Sequence, residues 1–290
     1  MKRVLLIGAS GQLGTDIAIA FKKKYEVVSA NHKDVDILDS KKLKKAVFNI
    51  KPDIIINTAA YHKVDEIQKN AKKAFLVNAL GQRNVANLSL KINATVVFMS
   101  TDYVFGADVG RRKAYTELDC PRAINTYGVT KIAGEELTKI HTNKYFIIRT
   151  SGLYGTKGSS NKGDNFVEKM INMAKIGKEL NVVNDQFLSP TYTKNLAQNL
   201  LLLLKTTRFG TYHMVSRGSC SWWQFTKEIF KLLHIRVICN PVDSNYFKTE
   251  AKRPSYSVLA NCNLSKIKIN KMKHWKTNLK DYLEEANHIS

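Results

Sequence analysis

An α/β fold, with a doubly wound parallel sheet and a smaller C-terminal lobe, is what three observations in this sequence predict. Short apolar, β-branched runs alternate with helix-length amphipathic stretches through the first two-thirds of the chain. A glycine-rich turn joins the first such run to the first amphipathic stretch. Past about Thr150 the alternation loosens into mixed short elements. Strands separated by helix-length connections make βαβ units, which pair in parallel and offer ligands the carboxyl ends of their strands.

In chain order, strands are expected at Arg3–Ile7, Glu26–Ser29, Asp53–Asn57, Thr95–Met99, Tyr145–Thr150 and Leu180–Val183, where apolar and β-branched residues cluster. Between them Leu13–Lys24, Lys41–Ile50, Ala71–Ile92 and Tyr127–Thr142 read as amphipathic helices. Gly155–Gly163 is polar and glycine-rich and reads as a mobile loop. Helices follow at Asn165–Ile176, Leu196–Leu204, Ser221–Leu233 and near Asn278–Asn287, with a short strand at Gly210–Val215.

The 290 residues can bury a full core, as one large domain or two lobes. No apolar run approaches the roughly 18 residues of a membrane helix. Met1–Gly8 has a basic start and an apolar stretch, but that stretch is too short for a signal peptide and runs into a glycine turn. It reads as a first strand of a cytoplasmic protein with no membrane partner. Cys120, Cys220, Cys239 and Cys262 are scattered without a Cys-x-x-Cys pair, so neither a metal site nor a disulfide framework is expected. The formal charge of +22 is spread along the chain in lysine clusters such as Lys22–Lys24 and Lys72-Lys73. Nucleic-acid binders more often gather charge in one stripe with interleaved aromatics, so no nucleic acid is expected. Solvated helix faces account for the charge, which also suits an anionic small ligand.

Gly8-Ala9-Ser10-Gly11-Gln12-Leu13-Gly14 has the form G-x-x-G-x-x-G between a strand and a helix. Such glycines permit a tight turn, close approach to a pyrophosphate and close helix–strand packing, with helix N–H groups facing the anion. The expected fold is therefore Rossmann-type, with Gly8, Gly11, Gln12, Leu13 and Gly14 at a dinucleotide. Roughly 20 residues on, a carboxylate would hold the adenosine ribose of NAD. Instead Asn31 stands there, followed by His32 and Lys33, which could attract a 2′-phosphate. NADPH is the expected cofactor, with NADH open as a second. Asp36 and Ile37 suit an adenine edge. Ala59, Ala60 and Tyr61, after the third strand, let a cofactor lie close to the backbone.

Tyr127 and Lys131 lie four residues apart, hence on one helix face. An ammonium there would lower the phenol's pKa and make it an acid near neutral pH. Ser100-Thr101-Asp102 follows the fourth apolar strand, so Thr101 should sit at a carboxyl end beside the same crevice. Thr101, Tyr127 and Lys131 are the expected catalytic set, suited to reducing a carbonyl with a nicotinamide cofactor.

With these residues the sequence resembles the extended short-chain dehydrogenase/reductases, and more closely the dTDP-4-dehydrorhamnose reductases. Further matches are Asn57–Tyr61 with Val64-Asp65, Lys131–Glu135, Arg149-Thr150-Ser151, Asp185-Gln186 with Ser189-Pro190-Thr191, Gly210–His213 and Arg253-Pro254. They occur in family order over nearly the whole chain. The resemblance implies hydride transfer to the C4 ketone of a nucleotide-linked 4-keto-6-deoxy sugar, foremost dTDP-4-dehydro-L-rhamnose, in the synthesis of lipopolysaccharide or another cell-surface polysaccharide. By the same resemblance Tyr127 would protonate the oxygen, Thr101 would hydrogen-bond it, and Lys131 would hold the nicotinamide ribose. Asp102 would touch the sugar, and the nucleotide half would lie in the C-terminal lobe. The division implied is a dinucleotide-binding domain at 1–150, joined by 180–215, and a substrate-binding lobe of 151–179 and 216–290. A homodimer stays open.

Two departures stand out. Gly152 replaces the tryptophan that the family usually places after Arg-Thr-Ser in the sugar pocket, followed by a lengthened loop to Asp164. Gly110–Tyr115 is unusually basic and lacks the usual proline. These departures leave the chemistry intact and the particular sugar open. Competing expectations are an epimerase or dehydratase of the same fold, and a non-catalytic dinucleotide-binding subunit resembling that of methionine adenosyltransferase. The missing second carboxylate after Thr101-Asp102 speaks against a dehydratase.

Overall fold

Alternate residues of the first strand, β1 (Arg3–Ile7), face opposite sides of a sheet, and both sides are apolar. Val4 and Leu6 enter one buried cluster, Leu5 and Ile7 another. That demands cover on both faces. In the computed structural model, which describes residues 1–157, 165–177 and 179–289, β1 lies inside a six-stranded sheet. Its companions are β2 (Glu26–Ala30), β3 (Ile54–Asn57), β4 (Thr95–Thr101), β5 (Tyr145–Thr150) and β6 (Gly210–His213). The order is β6-β5-β4-β3-β1-β2, with every neighbouring pair parallel.

Helix α1 (Gln12–Phe21) covers one face, packing Ile17 and Phe21 against β1 and β3 residues. The other face is covered in part by α2 (Ser40–Ile50), through Leu43 and Val47. A third helix, α3, runs as Ala71–Phe75 and Gln82–Lys91, joined by the π-helical stretch Leu76–Gly81. Helix α4 (Thr126–His141) lies beside it, capped by Asn125, whose Oδ1 accepts from the Gly128 N–H at 2.9 Å. Helix α4 also comes very close to the loop after β4. A Cβ at Gly128 would lie 2.0 Å from the Tyr103 carbonyl oxygen, so only glycine permits this approach.

The C-terminal residues build a third apolar cluster around α5 (Phe166–Lys175), α7 (Trp222–Leu232) and α8 (Trp275–Glu285), with Tyr154, Val167, Phe225 and Tyr282 at its centre. The intervening α6 (Thr193–Leu203) instead packs Leu196 and Leu200 beneath the sheet against α1. Leu180–Val183, expected among the central strands, does not join them. It pairs in parallel with Cys239–Val242, and its alternate residues Leu180 and Val182 enter the lobe's cluster. Its apolar run is real, but the side chains that bury it come from α5 and α7. Most of the loop expected at 155–163 lies outside the described residues. Among the described residues no helix is long and apolar enough to cross a membrane.

One buried ion pair ties α4 to the sheet. Arg149 on β5 grips Glu135 through Nε at 2.9 Å and Nη2 at 2.6 Å, and both side chains are almost wholly buried. Ser100 on β4 donates to the same carboxylate at 2.5 Å. Removing one partner of such a pair leaves a buried charge uncompensated. Glu135→Ala is therefore expected to lower unfolding stability by about 3–5 kcal/mol, read as a fall in the urea midpoint, with a smaller loss for Glu135→Gln.

Candidate active site

The chain leaves β1 for β2 on one side and returns to β3 on the other, so the winding reverses between β1 and β3. Ligands bind sheets of this kind at that point, outside the carboxyl ends. A cleft of about 2130 Å³ opens there and extends into the C-terminal lobe. Of the residues singled out in the sequence, Gly8, Gly11, Gln12, Leu13, Gly14, Asp36, Ile37, Ala59, Ala60, Tyr61, Thr101, Asp102, Tyr127, Lys131 and Gly152 all line it. Asn31 does not. It is exposed, and its N–H donates to Asp34 Oδ2 at 2.9 Å in a turn that presents His32 to the cleft instead.

The glycine turn fits a pyrophosphate. A Cβ at Gly14 would stand 2.3 Å from the Gly8 carbonyl oxygen, so the close packing of α1 on the turn requires glycine. The first turn of α1 has no side-chain cap and no acidic residue, leaving its N–H groups to a ligand. Gln12 Oε1 is buried and lacks a hydrogen-bond partner among the described residues. These residues would hold the diphosphate of a dinucleotide.

Thr101 ends β4 and is in register with Thr150 on β5, which puts Ser151 and Gly152 beside it. Its hydroxyl accepts from the Tyr103 N–H at 3.2 Å and donates to Asp102 Oδ1 at 3.1 Å, and it stands near enough to the Tyr127 phenol to influence its titration. Asp102 lines the cleft, where its carboxylate accepts from protein hydroxyls. Ser151 and Ser257 donate to Oδ2 at 2.8 Å and 2.6 Å, and the residue is only 3% exposed. Burial raises the Asp102 pKa, and the Ser257, Ser151 and Thr101 hydrogen bonds oppose the rise. Ser257 comes from a lobe segment fastened nearby by Arg253, which pairs with Asp65 at 2.5 Å. Nothing in the sequence marked Ser257, because its partner is 155 residues away.

Lys131, one turn along α4 from Tyr127, is 1% exposed, with Nζ 4.1 Å from the Phe98 ring centroid. Burial pushes its pKa down to about 7, against a smaller upward pull from Glu135. The expectation that it depresses the Tyr127 pKa is not met in this cleft. Burial, then the Asp102 charge, hold the Tyr127 phenol above its usual value, and only the Thr101 hydrogen bond lowers it. The physical reason is shared: desolvation favours the neutral form of both groups, and a half-neutral lysine exerts a weak field.

A parallel sheet reversed at this crevice, with a phenol and an amine brought to its lip, places the chain in the class of Rossmann-type reductases. Comparison then fixes the branch. The RmlD substrate binding domain family matches residues 1–288, and the chain belongs to that family, which is that of the dTDP-4-dehydrorhamnose reductases. It is 37% identical over 286 residues to the spore coat polysaccharide biosynthesis protein SpsK of Bacillus subtilis (strain 168), covering 98% of each chain. It is 33% identical to a dTDP-4-keto-6-deoxy-D-glucose reductase of Streptomyces niveus, over 96% of this chain and 95% of that one. Among solved structures, dTDP-4-dehydrorhamnose reductase from Bacillus anthracis str. Ames, in complex with NADP, superposes with a TM-score of 0.93. The two are 40% identical, with 98% of this chain and 100% of the other covered.

The Lys131 shift has a consequence for stability. Its folded pKa of about 7 lies below the ordinary value of 10.5, so between these limits the unfolded chain binds more protons. Lys131 therefore weakens the ligand-free protein fully below pH 7, and this penalty fades as pH rises toward 10.5. Urea midpoints measured across that range are expected to climb in wild type relative to Lys131→Met. Parallel curves for the two proteins would contradict the shift.

Proposed function

We propose that this chain reduces the C4 ketone of a dTDP-linked 4-keto-6-deoxy sugar with NADPH, foremost dTDP-4-dehydro-L-rhamnose to dTDP-L-rhamnose. The observation that carries the reading is the convergence of Thr101, Tyr127 and Lys131 on the crevice that the glycine turn opens. The dTDP-sugar reductases among its relatives, and NADP in one of their structures, supply the substrate class and cofactor. The exposed His32 at the cleft favours the 2′-phosphate of NADPH. The setting we assign is cytoplasmic synthesis of a cell-surface polysaccharide precursor.

When bound, the nicotinamide supplies hydride to the ketone carbon. This chain's residues handle the oxygen. Tyr127, kept protonated by burial, stands ready to give its proton to the oxygen as negative charge develops there. Thr101 stands beside the phenol, and its hydroxyl, which donates to Asp102 in the ligand-free cleft, would turn that one proton to the same oxygen when the sugar binds. Asp102, fixed by Ser151 and Ser257, sets the direction of the Thr101 hydroxyl. Lys131 would hold the nicotinamide ribose, where hydrogen bonds to its ammonium would favour the charged form and so the departure of the Tyr127 proton. Remote contacts to the nucleotide would orient the sugar over these groups.

Tyr127→Phe is expected to cut kcat by about 10²–10⁴-fold, the usual worth of a general acid, while the NADPH dissociation constant stays within a few-fold. Loss of nicotinamide absorbance on adding the dTDP-linked keto sugar reads the rate. A Tyr127→Phe enzyme at full speed would remove the phenol from the mechanism. A wild type that retains bound dinucleotide yet gives no net reduction with any nucleotide-linked keto sugar would point to an epimerase.

A further inference from the structure

Beside the reacting groups, the cleft wall receives no side chain from position 152, and the Trp222 ring of the lobe, packed beside Phe166, stands against it. Gly152 has φ +52°, and a Cβ built there would lie 2.7 Å from Leu188 Cδ1 and 3.6 Å from Trp222 Cη2. The direction in which a side chain at 152 would leave the backbone is already filled from two other elements. Trp222 opens α7, where the capping box formed by Ser221 and Gln224 fixes the helix start. Its ring centroid is 4.4 Å from that of Phe166, the first residue of α5. Both rings are half-buried: they pack against the lobe's apolar cluster and also line the cleft. Through Gly152 and Ser151, whose hydroxyl reaches Asp102 at 2.8 Å, this wall adjoins the Thr101–Tyr127 pair.

We propose that Trp222, backed by Phe166, is the specificity-determining wall of the sugar subsite, taking the apolar C–H face and 6-deoxy methyl of the hexose in place of a side chain at Gly152. The proposal rests on the reductase reading above and names the residue that selects the sugar. An indole presents a large rigid apolar face with little rotamer entropy to lose, which suits a ring with one apolar face. A sugar bearing a C6 hydroxyl would bury that group against the indole without a partner, an unfavourable exchange. Hydrophobic pockets reject an added hydroxyl only modestly, by about 10²-fold at most. The wall therefore biases the choice of sugar and leaves the chemistry at Tyr127 unchanged.

Two measurements test it. Titration with dTDP-L-rhamnose is expected to change wild-type tryptophan fluorescence more than dTDP alone does. That difference should vanish in Trp222→Phe, although Trp223 and Trp275 remain. With saturating NADPH, Trp222→Ala is expected to raise KM for the 4-keto-6-deoxy sugar at least tenfold (about 1.4 kcal/mol). The preference in kcat/KM over the 6-hydroxy analogue should shrink, and Trp222→Phe should recover most of both losses. Folded Trp222 variants, verified by unchanged Tm, that keep the wild-type KM and sugar preference would overturn the proposal. So would a sugar-dependent fluorescence change that persists in Trp222→Phe. A wild type that shows the Trp222 signal but reduces no keto sugar would support this wall while refuting the reductase reading.

Discussion

The Glu135–Arg149 pair is the constraint on which the rest of the site depends. A fully buried carboxylate is tolerable only where donors surround it, and Arg149 on β5 and Ser100 on β4 both reach Glu135 from fixed positions in the sheet. Helix α4 has little freedom to slide or rotate without breaking those bonds. Lys131 lies one turn before Glu135 and Tyr127 two turns before it, so the pair sets where the amine and phenol stand relative to Thr101. The bare approach of Gly128 to Tyr103 brings the helix close enough for that placement to matter.

Once α4 is pinned, burial decides the electrostatics. Thr101, Asp102 and Lys131 are all nearly inaccessible, and the phenol of Tyr127 is desolvated with them. Asp102 finds three hydroxyl donors; Lys131 has an aromatic ring and the charge of Glu135, itself held by Arg149 and Ser100. The same low-polarity surroundings therefore leave one group satisfied and another waiting for a partner. The hydroxyls of a nicotinamide ribose are the partner that our functional reading assigns to Lys131. Asp102, by contrast, is occupied in aiming Thr101.

Much of the site was legible because its signals are local. The Gly8–Gly14 turn, the Tyr127–Lys131 spacing and Thr101 at a strand end each need only the geometry of one element and its neighbour. Three features escaped for a common reason. Counting along the chain points to Asn31 at the ribose, whereas an Asp34 hydrogen bond turns the backbone there and His32 lines the cleft. The motif shows Asp102 at the cleft but not the hydroxyls of Ser151 and Ser257 that hold its carboxylate there. Leu180–Val183 has a strand's composition, but its burying partners lie in the lobe. In each case the deciding contact comes from a backbone turn or a distant segment that periodicity does not encode.

By itself the sequence determined the βαβ winding, the crevice at the strand ends and most of the residues that line it, because alternation, helical spacing and glycine turns are short-range physics. Tertiary structure decided what those residues experience. Desolvation, rather than Lys131, sets the direction of the Tyr127 shift, since a pKa depends on everything packed around the group. It also set Trp222 against Gly152, across 70 residues of chain, because only the folded lobe brings α7 to the end of β5.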